Sequence, residues 1–231
     1  MKSPFGTLAC GIAMLATGVA SAQQPTAADR VAALKANLAS SQATLRQFEW
    51  IETTVVSLKG EDKSTLQERC YYGADGKLQK VPVVAPPPEK KKGGLRGKIA
   101  ENKKEEMSDY MKEAVGLVKR YLPPDPQRID QVKAAGKLTL SPQPGNHVRL
   151  GFADYLKPGD SLTIEMGLAD NSLFSASVAS TMDSDKAPVT LTVRFDKLDN
   201  GATYEPQIVL DAKGKELKVT ITKSGYRKMG S

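Results

Sequence analysis

Apolar and polar residues alternate strictly through much of the C-terminal third of the chain. Val189, Leu191, Val193 and Phe195 are interleaved with Thr190, Thr192, Arg194 and Asp196, and Leu217, Val219 and Ile221 with Lys218, Thr220 and Thr222. A period of two is that of a pleated strand with one dry face and one wet face. The same period predicts strands at Leu138 and Leu140, at Val148, Leu150 and Phe152, at Leu162, Ile164 and Met166, at Phe174, Ala176 and Val178, and at about Thr203 to Asp211. Turn-forming groups separate them at Pro158-Gly159-Asp160, Ala169-Asp170-Asn171, Asp199-Asn200-Gly201 and Lys213-Gly214. Three more strands are predicted upstream: Phe48 to Lys59, rich in aromatic and β-branched residues, Ser64 to Tyr72, and Lys77 to Val84 after the Asp75-Gly76 hairpin signal. Pro82 places the last of these at a sheet edge.

Three stretches follow the helical period instead. Thr26 with Asp29 three residues on approximates a capping box, and Val31, Leu34, Leu38, Leu45 and Phe48 recur at helical steps. Met107, Tyr110, Met111, Ala114, Leu117, Val118 and Tyr121 make a second amphipathic helix from about Glu101, stopped by Pro123 and Pro124. Asp125 before Pro126 caps a short third helix ending near Gly136.

This element set predicts an α+β fold with about ten antiparallel strands and two long helices. Ten strands at ~4.8 Å spacing and ~23 Å length present a face of about 1,100 Å². Two helices about 10 Å wide cover less than half of it. So wide an exposed apolar face would be a large sticky patch, so the sheet must curl around its dry side. Two outcomes stay open: a lined cavity, or an interior filled by side chains and helices. For a cavity, the candidate lining is Val148, Leu150, Phe152, Leu162, Ile164, Phe174, Val178, Leu191, Val193 and Phe195 from the strands, with Met107 and Met111 from the second helix.

Composition adds a compartment. Residues 1–22 carry one early Lys2, an apolar core from Leu8 to Ala20 and small residues at Ala20 and Ala22. They read as a secretory signal peptide cleaved after Ala22, too short for a span of about 20 apolar residues. Cys10 follows Thr7, Leu8 and Ala9, in the wrong order for a lipobox. Residues 23–231 then form one domain, periplasmic or secreted. Cys70 is its one cysteine, which excludes an intramolecular disulfide and suits a buried small hydrophobe.

The net charge of the chain is +7, and seven basic residues crowd Lys90 to Lys104. Pro86-Pro87-Pro88 and Gly93-Gly94 mark residues 85–98 as an exposed loop. There Lys90, Lys91, Lys92, Arg96 and Lys98 are candidates for contact with an anionic membrane surface or an acidic protein partner. Nucleic acid is not expected, because no aromatic residue lies between Tyr72 and Tyr110 to stack on bases.

Catalytic patterns are absent. The one histidine, His147, excludes a two-histidine zinc site, and its place after Gly145-Asn146 suits a solvated imidazole at a turn. No nucleophile elbow, phosphate loop or dinucleotide fingerprint occurs. Asp154 and Asp160 flank a turn and read as structural. No metal, cofactor or enzymatic activity is expected.

The order of elements, carried by the helix Ala27 to Gln47 leading into Phe48-Glu49-Trp50 and by the hairpins of Leu173 to Lys223, resembles the LolA-like periplasmic lipoprotein-carrier superfamily. The phrase Tyr72-Gly73-Ala74-Asp75-Gly76-Lys77 is similar to one shared by exported bacterial proteins, which implies a distant branch. The insertion from Pro86 to Lys104 departs from the carrier pattern, and no family binding residue can be matched by position. The resemblance implies an open half-barrel capped by helices, holding a lipid or lipoprotein acyl chain. The alternative is an envelope interaction or sensory module with a filled core.

Overall fold

A computed structural model describes residues 26–84 and 95–230. The predicted signal peptide and residues 85–94 of the predicted basic loop, and with them Lys90, Lys91 and Lys92, lie outside the described residues. Helix α1 (Ala27–Leu45) opens on the expected capping box: the Asp29 amide donates to Thr26 Oγ1 at 3.2 Å and the Thr26 amide to Asp29 Oδ2 at 2.9 Å. A meander follows, β1 (Phe48–Leu58), β2 (Glu61–Tyr72) and β3 (Leu78–Pro82). Helices α2 (Leu95–Val118) and α3 (Pro126–Ala134) lead to β4 (Leu138–Gln143), β5 (His147–Ala153), β6 (Ser161–Gly167), β7 (Leu173–Thr181), β8 (Pro188–Lys197), β9 (Thr203–Ala212) and β10 (Leu217–Lys228). All ten predicted strands are present.

They form one antiparallel sheet in the order β3-β2-β1-β10-β9-β8-β7-β6-β5-β4, open at β3 and β4. Pro82 and Pro142 sit on these two edge strands, where a missing amide breaks no inner ladder. The single non-sequential pairing is β1 on β10, through which the first meander joins the last strand. The chain must then travel from one edge of the sheet to the other between β3 and β4, across nine strand gaps or about 43 Å. Helix α2, about 36 Å long at 24 residues, carries it over the concave face. It begins at Leu95, earlier than the predicted Glu101, so residues 95–98 are helical and the predicted loop ends sooner. Arg96 and Lys98 thus belong to a helix.

The dry face of the sheet alternates as expected. Val148, Leu150 and Phe152 on β5, Leu162, Ile164 and Met166 on β6, Val189, Leu191 and Val193 on β8, and Leu217 and Val219 on β10 are all buried. Tyr110, Ala114, Leu117, Val118 and Tyr121 pack on them from α2 and the turn after it, and Ile129 and Val132 from α3. Strands β2 and β3, beyond the reach of the helices, are largely exposed.

Two irregularities re-aim side chains. Glu165 pairs with Ser175 and Met166 with Leu173, so Phe174 is an extra residue, a β-bulge. Leu173 therefore turns inward, 6% exposed, and Phe174 turns out, where its ring stacks on His147 with centroids 3.9 Å apart. The alternation Phe174, Ala176, Val178 could not reveal this slip. On β10, Gly225 and Tyr226 together oppose Trp50, with Gly225 in the left-handed region at φ 64°. The bulge turns Tyr226 inward onto Trp50, their rings stacked at 5.4 Å.

Candidate functional site

Over β4 to β6 the interior is filled, because bulky side chains converge there. Tyr121, Phe152, Tyr155, Met166 and Met182 are fully buried. Over β7 to β10 the cover is α1 with the end of α2. A cavity of about 760 Å³ opens there, within the range of about 300–1,000 Å³ usual for small-molecule sites. Both outcomes that the pattern left open thus occur, in different halves of one sheet.

The floor of the cavity is Ala176 and Leu173 of β7, Leu191, Val193 and Phe195 of β8, Ile208 and Leu210 of β9, and Val219 and Ile221 of β10, with Ile164 at one side. Its roof is Leu34, Leu38, Ala39, Gln42 and Leu45 of α1, and Val115, Val118, Lys119, Leu122, Pro123 and Pro124 from the end of α2. Helix α1 is seated by polar contacts along its length. Buried Arg30 donates to Asn171 Oδ1 at 3.1 Å, Asn37 Oδ1 accepts from Thr203 Oγ1 at 3.0 Å, and Ser41 Oγ accepts the Thr203 amide at 2.9 Å.

Of the twelve residues predicted to line a cavity, Ile164, Leu191, Val193 and Phe195 do so. Val148, Leu150, Phe152, Leu162 and Val178 are buried in the filled half, so they are core rather than lining. Met107 and Met111 pack half-buried against that core, since α2 reaches the cavity only at its C-terminal end. Phe174 lies on the outer face for the reason given above. Sequence reasoning missed the aromatic and charged wall contributed by β1, β2, β9 and β10: Trp50, Tyr72, Glu205, Lys223 and Tyr226. The bulge of β10 places one of these, Tyr226, and a bulge has no signature in hydrophobic period.

At that wall Trp50 also meets Tyr72 at 6.1 Å, and Tyr226 meets Tyr204 edge-on at 4.7 Å. Burial, then the Glu205 charge, pushes the Tyr226 phenol far above its ordinary pKa, so it stays neutral. The Trp50 indole N–H is buried without a protein acceptor among the described residues. Lys223 Nζ, 15% exposed, pairs with Glu205 Oε2 at 2.8 Å. Behind Trp50, buried Glu52 accepts a hydrogen bond from Lys80, and Glu68 lies 4.0 Å from the same ammonium. Burial opposes the charge on Lys80, but the Glu52 hydrogen bond and charge outweigh it and its pKa is raised. Cys70, beside them, is fully buried, and burial followed by the Glu52 charge pushes its thiol up to about 11. A thiol held neutral is a poor nucleophile.

The remaining candidates for chemistry are structural. Asp160 is buried and accepts Tyr121 Oη–H at 2.6 Å and the Lys157 amide at 2.8 Å, tying the end of α2 to the β5–β6 turn. Asp154 accepts the Gly159 amide and pairs with Lys137 at 2.8 Å, which holds its carboxyl below the usual range. His147 is not a solvated turn residue: it opens β5, half-buried under Phe174, with Nδ1 3.4 Å from Glu165 Oε1. Among the described residues no group of three or more His, Cys, Asp and Glu side chains could hold a metal, and no helix is long and apolar enough to cross a membrane.

Fold and cavity together define an open, curled ten-stranded antiparallel sheet with helices over its concave face and a predominantly apolar chamber beneath α1. No family model and no curated protein matches the chain. Among solved structures it is similar to a LolA superfamily protein from Nitrosomonas europaea, at TM-score 0.37 and 10% identity over 85% of this chain and 94% of that one. It is similar also to a DUF1329 family protein from Desulfovibrio piger, at TM-score 0.37 and 8% identity over 87% and 92%. A Vibrio parahaemolyticus domain described as that of an outer membrane lipoprotein-sorting protein gives TM-score 0.38 and 10% identity over 86% and 94%. At such identities no residue can be carried across, and the site rests on this chain's own side chains.

Proposed function

We propose that this chain is an exported, periplasmic binding protein that holds the hydrocarbon of a lipid or lipoprotein in the chamber beneath α1, without catalysis. The observation that carries the reading is the 760 Å³ cavity itself, floored by Leu191, Val193, Ile208, Leu210, Val219 and Ile221. Its mechanism is reversible burial of ligand methylenes, each contributing about 0.8 kcal/mol. The half-filled interior disfavours the alternative of an interaction module with a solid core. The N-terminal export segment and the basic stretch 85–98, as a contact for an anionic membrane surface or acidic partner, belong to this proposal.

Trp50 is the sole tryptophan and stands in the cavity wall, so the protein carries its own reporter. Titrating delipidated protein with a fatty-acyl ligand is expected to shift or quench its emission saturably, and native mass spectrometry of freshly purified protein to show a co-purified lipid mass. A bare mass together with unchanged emission would remove the carrier reading.

A further inference from the structure

The apolar cavity is bounded by charge of one predominant sign. Its lining includes three lysines, Lys35, Lys119 and Lys223, against one carboxylate, Glu205. Lys223 is accounted for by its ion pair with Glu205. Lys35, from α1, and Lys119, just past the end of α2, are different. Both are exposed at the solvent boundary of the chamber, and among the described residues neither ammonium has a hydrogen-bond or ion-pair partner. By contrast Lys80, Lys137, Lys157, Lys197 and Lys215 are each paired with a carboxylate. Two cations unpaired among the described residues, one on α1 and one just past the end of α2, give the chamber an apolar interior and a positively charged boundary. That is the charge pattern complementary to an amphiphile with an anionic head.

We infer that the ligand class, resting on the carrier reading above, is a single-tailed or multi-tailed amphiphile whose carboxylate or phosphate head sits between Lys35 and Lys119 while its hydrocarbon enters the chamber. The lysines select for charge. The strands below select for length and apolarity.

The test compares three ligands with the same tail, laurate, dodecyl phosphate and dodecanol, with tailless propionate and inorganic phosphate as controls, all read by Trp50 emission on the purified chain. The anionic dodecyl ligands are expected to bind about tenfold more tightly than dodecanol, the worth of two exposed ion pairs. Added salt should erode that margin while leaving dodecanol unaffected. In the Lys35→Ala/Lys119→Ala double variant the margin should fall to within about twofold, with an unchanged thermal melt because both side chains are exposed. Preference for only one of the two heads would support the inference and name the group. Equal binding of dodecanol, or a margin that survives the double substitution and salt, would overturn it while leaving the carrier reading intact. Tailless phosphate binding as tightly as dodecyl phosphate would also overturn it, as the mark of a free-anion site. If none of the dodecyl ligands bound, the carrier reading itself would fall.

Discussion

Cys70 shows how completely its surroundings decide what a side chain can do. As a free thiol it invites thoughts of redox chemistry, yet burial and the Glu52 carboxylate raise its pKa from 9.0 to about 11. Because the folded pKa is the higher one, the folded state binds the extra proton, and this contribution to stability is fully present below about pH 9. It is lost as pH rises from about 9 to about 11. Denaturant melts across that window should show stability falling with pH, and Cys70→Ala should flatten the decline; an identical slope in the variant would refute the assignment. Native Cys70 should likewise react with thiol reagents far more slowly than the unfolded chain. Tyr121 is a second case, its hydroxyl donating to buried Asp160 at 2.6 Å and sharing a 2.9 Å hydrogen bond with Ser180. Tyr121→Phe removes a hydrogen bond to a buried carboxylate and is expected to cost about 1.5–3 kcal/mol in chemical denaturation. A cost near zero would mean that Asp160 is satisfied by its backbone donors alone. Both residues looked apolar in the sequence, and that much was legible. The groups that dominate them, Glu52 for Cys70 and Asp160 and Ser180 for Tyr121, lie 18 positions away or more, beyond any local pattern.

At the level of elements, a break in strand register aims a side chain at the cavity wall. The bulge at Gly225–Tyr226 is the clearest instance, since it turns a phenol onto Trp50 at the chamber wall. Gly225 adopts φ 64°, and a Cβ there would meet only Ile51 Cγ1 at 4.0 Å, so space is available and the backbone conformation is the constraint. Gly225→Ala is therefore expected to destabilise by about 1–2 kcal/mol and to change Trp50 emission by disturbing the stack. Unchanged emission would show that the bulge does not position Tyr226. Helix α1 was readable from Leu34 and Leu38 at helical spacing and from the Thr26 capping box, because those are local features. Its docking through Arg30, Asn37 and Ser41 was not. Each of those polar residues has its partner on the β6–β7 turn or β9, more than 130 residues along the chain.

The whole molecule is a sheet too wide for its helices. Bulky residues solve the problem over β4 to β6 by filling the interior, and the rest stays hollow under α1. Filling the hollow should therefore abolish binding without unfolding the protein. Ala176 lines the cavity floor and is 2% exposed, so Ala176→Phe would project a ring into open volume. Acyl-ligand uptake by Trp50 emission is expected to fall at least tenfold, with stability unchanged or raised by about 1 kcal/mol as apolar surface is buried; undiminished uptake would place the ligand elsewhere. From its own order of residues the chain determined the strands, the helices, the edge position of Pro82 and the need for the sheet to curl, since these follow from periods of two and 3.6 and from turn chemistry along a short window. Which inward residues meet one another and which face a void was decided only in three dimensions. That depends on two bulges and on where one helix comes to rest, and both are set by contacts between residues far apart in the chain.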